Sequence, residues 1–210
     1  MEKKALFFDI DGTLLSEVTG EVPASALKAL ERALENGHLT FINTGRTWCA
    51  LPAVFKRMPF SGYVCGCGTY IQFGDEVLLK RSIPVERGDE IVKVLRENQA
   101  DMILEGTEDC FVPERLSRFE RLEGTRRYFK QMGLGIEKYA EHGGLEFDKF
   151  VFYTDEKSGR EAIFENLSRD MDLMDRRNGF YEAAPKGYSK GTGIAFILEH
   201  FGMEREDAYV

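Results

Sequence analysis

A short apolar run that ends in two aspartates constrains the fold more than any other stretch of this chain. Residues 5–8 read Ala-Leu-Phe-Phe, which predicts a strand buried on both faces, as inside a parallel sheet. Asp9 and Asp11 follow, and side chains at positions i and i+2 of a strand point to the same side. Gly12 permits a sharp turn, and Thr13 adds a hydroxyl. The stretch therefore predicts two carboxylates that converge at the carboxyl end of a buried strand.

Two carboxylates this close repel each other unless a cation lies between them or one of them carries a proton. A hard divalent cation such as Mg²⁺ prefers oxygen ligands of this kind and commonly binds together with phosphate. An aspartate carboxylate can also act as a nucleophile and form an aspartyl-phosphate. The pattern D-x-D-G is equally typical of a plain turn after a strand. Its place at a strand's carboxyl end, where open α/β sheets bind ligands, favours a functional site.

Composition limits the class of protein. The 210 residues suffice for one large domain or two small ones, and 43% hydrophobic with 30% charged residues is typical of a soluble globular chain. Lys plus Arg number 28 and Asp plus Glu number 36, so the net charge is −8. An acidic chain is repelled on average by a polyanion, which argues against a nucleic-acid partner. A local positive site for a small phosphate ester remains compatible with this charge.

The cysteines and the apolar runs predict the compartment. Cys65 and Cys67 are too close in sequence for an easy disulfide, and Cys49 and Cys110 stand alone, so we expect reduced thiols. The apolar run before Asp9 is too short for a signal peptide, and no run approaches the roughly eighteen apolar residues of a membrane span. These features predict a cytoplasmic protein without a membrane partner.

A helix and a second strand follow the aspartates. Residues 24–34 carry apolar side chains at helical spacing, and residues 38–43 predict a strand that ends in Thr44-Gly45-Arg46. The order strand, helix, strand predicts a right-handed crossover and a parallel sheet, which puts Thr44 at the same edge as the aspartates. The Thr44 hydroxyl and the backbone amides that follow, beginning with Gly45, can bind a phosphoryl oxygen with help from a helix that begins after Gly45. An ordinary threonine cap before that helix is the alternative.

The α/β sequence pattern ends near residue 81 and resumes near residue 184. Between them we predict a second α+β domain of about a hundred residues. Its hairpin is marked by Asn178-Gly179, and its other elements are helices at 88–98, 124–132 and 159–169 and strands at 102–104, 110–112 and 149–153. The first domain thus comprises residues 1–80 and 184–210, interrupted by 81–183. After the return, Lys190 precedes a helix at 192–201, where its charge can offset aspartates and phosphate, although most lysines are simply solvated.

Three of these segments together resemble one family. F-D-I-D-G-T-L-L at 8–15 resembles the first motif of the haloacid-dehalogenase-like (HAD) phosphatases, and the T-G-R that begins at Thr44 resembles the second. P-K-G-Y-S-K-G at 185–191 resembles the third motif of the Cof-type branch. Where Cof-type proteins often read N-G-A, this chain has Cys67-Gly68-Thr69, so the resemblance implies no side-chain role for Cys67.

The resemblance implies an α/β fold with a Rossmann-like parallel sheet core and an inserted α+β cap domain. It implies Mg²⁺-dependent hydrolysis of small phosphate monoesters: sugar phosphates, nucleotides or phosphorylated cofactors. Asp9 is then the nucleophile and Asp11 the general acid/base, Thr44, Gly45 and Lys190 bind phosphate, and the Asp9 carboxylate with the Asp11 backbone carbonyl holds the metal. Two alternatives stay open at this point: a phosphomutase, and a phospho-ligand binding or regulatory module without turnover.

The last residues carry a further expectation. Residues 208–210, Ala-Tyr-Val, predict the beginning of an apolar strand. In the family that strand leads into a fourth, acidic motif, G-D-x-x-x-D. On this resemblance we expect a core that is incomplete at its C-terminal end in the 210-residue form, with weakened Mg²⁺ binding and doubtful activity. Self-association through an incomplete sheet edge is expected for the same reason.

Overall fold

The computed structural model describes residues 2–16 and 18–210. Its strands are β1 (Ala5–Phe8), β2 (Leu39–Asn43), β3 (Gly62–Cys65), β4 (Tyr70–Phe73), β5 (Glu76–Lys80), β6 (Asp101–Glu105), β7 (Cys110–Phe111), β8 (Lys149–Tyr153), β9 (Met171–Asp175), β10 (Phe180–Pro185) and β11 (Ala208–Tyr209). Its helices are α1 (Ala24–Glu35), α2 (Ala53–Lys56), α3 (Val85–Glu97), α4 (Glu120–Gln131), α5 (Arg160–Leu167) and α6 (Lys190–Phe201). None of the helices in the described ranges has the length and apolar character needed to cross a membrane.

The chain divides into two compact units. Unit 1 consists of the described residues of Met1–Arg46, Leu51–Lys80 and Tyr188–Val210, and unit 2 of Thr47–Ala50 and Arg81–Gly187. The boundary predicted between residues 183 and 184 falls inside β10, which continues to Pro185. The sequence pattern also gave no indication that residues 47–50 group with unit 2.

Unit 1 is built on a six-stranded sheet with the order β11-β1-β2-β3-β4-β5. The first four of these strands run parallel to one another, and β4 and β5 continue the sheet in antiparallel pairing. The α/β fold with a parallel core is therefore confirmed. Ala5 and Phe7 of β1 lie in an apolar cluster with Ile197 of α6, whereas Leu6 is only partly buried. The face of β1 that carries Leu6 and Phe8 is only partly buried, so the expectation that β1 is buried on both faces was wrong.

No helix begins after Gly45. The chain from Thr44 to Pro52 turns irregularly, and the short α2 begins at Ala53. The Thr44 carbonyl accepts a hydrogen bond from the Cys67 amide at 3.2 Å, and the Arg46 carbonyl accepts one from the Gly66 amide at 2.7 Å. In a helix, each of these carbonyls would instead accept a hydrogen bond from the amide four residues further along the chain. The expected helix N-terminus at the phosphate loop is therefore replaced by bonds to the turn after β3.

Unit 2 is built on a five-stranded antiparallel sheet with the order β7-β6-β8-β10-β9. Successive side chains of a strand point to opposite faces, so β8 contributes to two apolar clusters. Phe150 and Phe152 pack with α3 and α5, and Val151 and Tyr153 pack with α4. The β9–β10 hairpin turns at residues 177–179, all with positive φ, as its Asn-Gly signal predicted. Every predicted strand and helix of this segment is present, with ends shifted by a few residues.

Candidate active site

The two aspartates lie in a tight turn directly after β1. Ile10 between them is fully buried, whereas the Asp9 and Asp11 side chains are 37% and 57% exposed. The turn folds back on itself because the Leu15 amide donates to the Ile10 carbonyl at 2.9 Å, and Gly12 supplies the positive φ of 77° that this path requires. The sequence thus places one apolar residue in the core and two carboxylates towards solvent at the carboxyl edge of the sheet.

Lys190 contacts the first of these carboxylates. Its Nζ lies 2.5 Å from Oδ2 of Asp9, whose Oδ1 accepts the Ile10 amide hydrogen at 2.8 Å. Lys190 is the first residue of α6, and a reciprocal cap fixes this end of the helix. Ser189 Oγ accepts from the Thr192 amide at 3.0 Å, and Thr192 Oγ1 accepts from the Ser189 amide at 2.8 Å. The lysine therefore reaches Asp9 from a well-anchored helix start.

Arg46 holds the second carboxylate in a two-point ion pair. Its Nε lies 3.0 Å from Asp11 Oδ2, and its Nη2 lies 2.8 Å from Asp11 Oδ1. The hydrogen bonds from Arg46 lower the pKa of Asp11, partial burial opposes them, and the charges of Arg46 and Lys190 lower it further. Asp11 is therefore ionised at neutral pH.

Thr44 and Gly45 follow β2, the parallel neighbour of β1, and so lie at the same edge of the sheet. Thr44 is 1% exposed, and its Oγ1 accepts a hydrogen bond from the Arg46 amide at 3.2 Å. Gly45 is half-buried beside it. Of the residues predicted to bind phosphate, Lys190 contacts Asp9 directly, whereas the Thr44 hydroxyl is engaged with the loop that carries Arg46.

The turn after β3 packs against the other loops of the site. Cys67 is buried with a φ of 58°, an uncommon value for a residue with a side chain, and its amide donates to the Thr44 carbonyl. Gly68 has a φ of 90°, and a Cβ added there would lie 2.5 Å from the Ser189 carbonyl oxygen. Glycine at 68 is therefore required for the close approach of this turn to the start of α6.

Two residues of this edge were not assigned a role from the sequence. Arg46 was quoted within T-G-R, and its signal is a basic residue directly after a predicted phosphate loop. Asn43 ends β2, is 2% exposed and donates from Nδ2 to the Lys190 carbonyl at 3.2 Å. Its Oδ1 has no hydrogen-bond partner among the described residues. No sequence signal distinguished Asn43 from an ordinary strand end.

The resemblance implies Mg²⁺ at these aspartates, and the donor atoms present are of the right kind. Mg²⁺ takes one or two carboxylates together with water and substrate phosphate, and the partly exposed Asp9 side chain offers a carboxylate oxygen of this kind. Lys190 and Arg46 already balance the two carboxylate charges, and no three His, Cys, Asp or Glu side chains within residues 2–16 and 18–210 group as a metal site. The donor atoms therefore fit a hard divalent cation, for which Asp9 would be the carboxylate ligand.

Comparisons with known proteins identify the family of this chain. A family model described as haloacid dehalogenase-like hydrolase matches residues 6–210. The chain is 22% identical over 211 residues to a Bacillus subtilis (strain 168) protein named "Putative phosphatase YkrA", covering 100% of this chain and 79% of that protein.

Solved structures show the same fold. The sugar phosphatase BT4131, of HAD subclass IIB, has a TM-score of 0.76 and 27% identity, with 98% of this chain and 78% of that one covered. The phosphatase BT1666 from Bacteroides thetaiotaomicron has a TM-score of 0.79 and 24% identity, with 98% and 75% covered. Because the family model includes the turn with Asp9 and Asp11 and extends through both units, this chain belongs to the haloacid dehalogenase-like hydrolase family.

Proposed function

We propose that this hydrolase is a phosphatase that cleaves small phosphate monoesters through an aspartyl-phosphate on Asp9. One observation carries the proposal: the Asp9 carboxylate, about one-third exposed at the carboxyl edge of the sheet, is held 2.5 Å from the Lys190 ammonium group. A lysine in this position attracts a phosphate anion to the carboxylate that attacks it. The family and the named relatives support phosphate ester hydrolysis, and the sugar phosphatase among them favours sugar phosphates as substrates.

The reaction needs two proton transfers, and we assign both to Asp11. In the first step an Asp9 oxygen attacks phosphorus, the ester bond breaks, and the leaving oxygen takes a proton from Asp11. In the second step water attacks phosphorus, Asp11 accepts its proton, and inorganic phosphate leaves Asp9. Asp11 is ionised by Arg46, so it is ready for the second step. The first step requires that Asp11 carry a proton, which the Arg46 ion pair disfavours until that pair loosens.

Three groups bind the phosphate in this proposal. The Thr44 hydroxyl accepts from the Arg46 amide and keeps its own hydrogen to donate to a phosphoryl oxygen. The Gly45 amide and the Lys190 ammonium group are the other two. Mg²⁺ is the proposed cofactor, bound by the Asp9 carboxylate and the Asp11 backbone carbonyl, where it would supply positive charge that balances the phosphate.

A leaving-group comparison tests the proton transfer. With Asp11→Asn, hydrolysis of an alkyl phosphate such as a hexose 6-phosphate should slow by about 10² to 10⁴-fold, because its alkoxide needs a proton to leave. Hydrolysis of p-nitrophenyl phosphate should slow much less. Steady-state rates with both substrates and Mg²⁺ measure the difference. Asp75→Asn, in the exposed β4–β5 turn, is the matched control and should change neither rate.

Equal losses for the two substrates would remove the acid role from Asp11. A wild-type chain that binds phosphate esters but hydrolyses none of a broad panel with Mg²⁺ would favour the binding module instead.

A further inference from the structure

Two cysteines that stand alone in the sequence contact each other in unit 2. Cys49 lies in the 47–50 segment and Cys110 begins β7, and their Sγ atoms are 3.5 Å apart. No local sequence signal indicated this contact, because the two residues are 61 positions apart. All four cysteines lie in the described part of the chain and none is in a disulfide, so this contact joins two thiols.

The two thiols have different surroundings. Cys110 is fully buried, whereas Cys49 is half-buried and therefore open to a small solute. The Cys49 thiol donates to the Gly106 carbonyl at 3.1 Å and lies 3.6 Å from the Thr47 hydroxyl. Apolar side chains enclose the pair, including Ala50 and Val112.

The same contacts shift the pKa values of the two thiols in opposite directions. The hydrogen bond with Cys110 lowers the pKa of Cys49, burial opposes this, the Thr47 hydroxyl adds to it, and the charges of Glu105 and Asp109 oppose it. The bond with Cys49 and burial raise the pKa of Cys110. Since the thiolate is the reactive form, Cys49 is the sulfur that reacts first with an oxidant, and Cys110 is the sulfur that reacts second.

We propose that Cys49 and Cys110 form a peroxide-sensitive pair that closes to an intramolecular disulfide. The Cys49 thiolate attacks one peroxide oxygen, the O–O bond breaks, and a sulfenic acid forms with release of hydroxide. The Cys110 sulfur, losing its proton, then attacks the Cys49 sulfur and expels a second hydroxide. Two thiols are oxidised by two electrons, the peroxide is reduced, and with the two thiol protons the products are one disulfide and two waters.

A short gap separates the two sulfurs. A disulfide has an S–S distance of about 2.05 Å, so the sulfurs must approach by about 1.5 Å. Cys49 lies in a turn outside the regular strands, so its movement breaks no strand pairing of its own. The bond would tie the 47–50 segment, which follows Arg46 directly, to β7 within unit 2. The proposal does not depend on the phosphatase activity.

Peptide mapping of the folded wild-type chain tests the proposal. Trypsin releases Cys49 in residues 47–56, Cys110 in residues 97–115, and Cys65 with Cys67 in residues 58–80, so each linkage has its own mass. After hydrogen peroxide treatment and thiol blocking, we expect peptides 47–56 and 97–115 to be joined, and dithiothreitol to separate them. Peptide 58–80 should stay unlinked to either. The same treatment in urea should give mixed linkages.

Two variants distinguish the roles of the thiols. In Cys110→Ala the Cys49 sulfenic acid should persist and be trapped by dimedone on peptide 47–56, whereas in Cys49→Ala dimedone should not label Cys110. Circular dichroism checks that each variant is folded, and the wild-type map stands without them. Absence of the 47–56/97–115 link in folded wild-type chain after peroxide, or a preferred link to peptide 58–80, would overturn the proposal.

Discussion

Two lysine–carboxylate pairs of this chain are nearly identical in length and opposite in burial. Lys190 and Asp9 in unit 1 are 2.5 Å apart with side chains 39% and 37% exposed. Lys149 and Glu182 in unit 2 are 2.6 Å apart with side chains 5% and 10% exposed. An ion pair open to water can exchange its partner for an incoming anion at low cost, whereas a buried pair cannot lose a partner without leaving an unpaired charge in the interior. Burial therefore separates a pair suited to chemistry from a pair that holds a sheet together.

The neighbouring charges reinforce the difference. In unit 2 two cations converge on one carboxylate, because Arg176 also lies 2.7 Å from Glu182. Burial raises the pKa of Glu182, but the charge and hydrogen bond of Lys149 and those of Arg176 outweigh it and lower the pKa to about 2. In unit 1 Lys190 and Arg46 each hold a different carboxylate.

The largest expected difference is in the free energy of unfolding, when the carboxylate of each pair is replaced by an amide. Glu182→Gln should lower the free energy of unfolding by about 3 kcal/mol, because the buried Lys149 loses its nearer anion and keeps only Glu105, at 3.4 Å. Asp9→Asn makes the same change of carboxylate to amide and should alter it by less than about 1 kcal/mol. Urea unfolding at pH 7 measures both. Similar losses for the two variants would contradict the distinction by burial.

The pH dependence sharpens the same contrast. A carboxyl whose folded pKa is lowered stabilises the fold above its unfolded pKa and loses that contribution as pH falls through the folded value. The stability gap between wild type and Glu182→Gln should therefore narrow between about pH 4.5 and pH 2. A gap that stayed constant down to pH 2 would show that the loss comes from packing instead of charge.

The smallest effect is expected at Arg46. Arg46→Gln should raise the pKa of Asp11 towards its ordinary value and change the unfolding free energy by no more than about 1 kcal/mol, because the pair is exposed. Carboxyl carbon chemical shifts titrated by NMR report Asp11 directly. Lys93→Gln, in an exposed pair with Glu97 on α3, is the control and should leave the Asp11 titration unchanged. An unmoved Asp11 titration in Arg46→Gln would show that the ion pair does not form in solution.

Local signals were enough for the parts of the fold that depend on neighbours in sequence. The apolar runs of β1 and β8 gave their exact bounds, and Asn178-Gly179 gave the β9–β10 hairpin, because alternation and turn chemistry act over a few residues. The helix expected after Gly45 failed because the carbonyls of this loop bond to the turn after β3, which no local pattern announces.

The motif residues of the site could be predicted from the sequence, but the long-range contacts between its side chains could not. Asp9, Asp11 and Lys190 stand in motifs that a resemblance to a family can identify, and the structure brings Asp9 and Lys190 together. The Arg46–Asp11 pair joins residues 35 apart, and the thiol contact joins residues 61 apart. Such pairings depend on how the loops pack against one another, and contacts between residues this far apart cannot be predicted from a single sequence.

Trapping the covalent intermediate tests most directly whether Asp9 attacks phosphorus. The Asp11→Asn chain, which lacks the base for the second step, is mixed with p-nitrophenyl phosphate and Mg²⁺, quenched in acid and reduced with borohydride, which converts an aspartyl-phosphate to homoserine. We predict homoserine at position 9 of tryptic peptide 5–28, and none when Asp9→Asn is added. Release of p-nitrophenol by a chain whose peptide 5–28 stays unmodified, or homoserine at another position, would contradict an aspartyl-phosphate on Asp9.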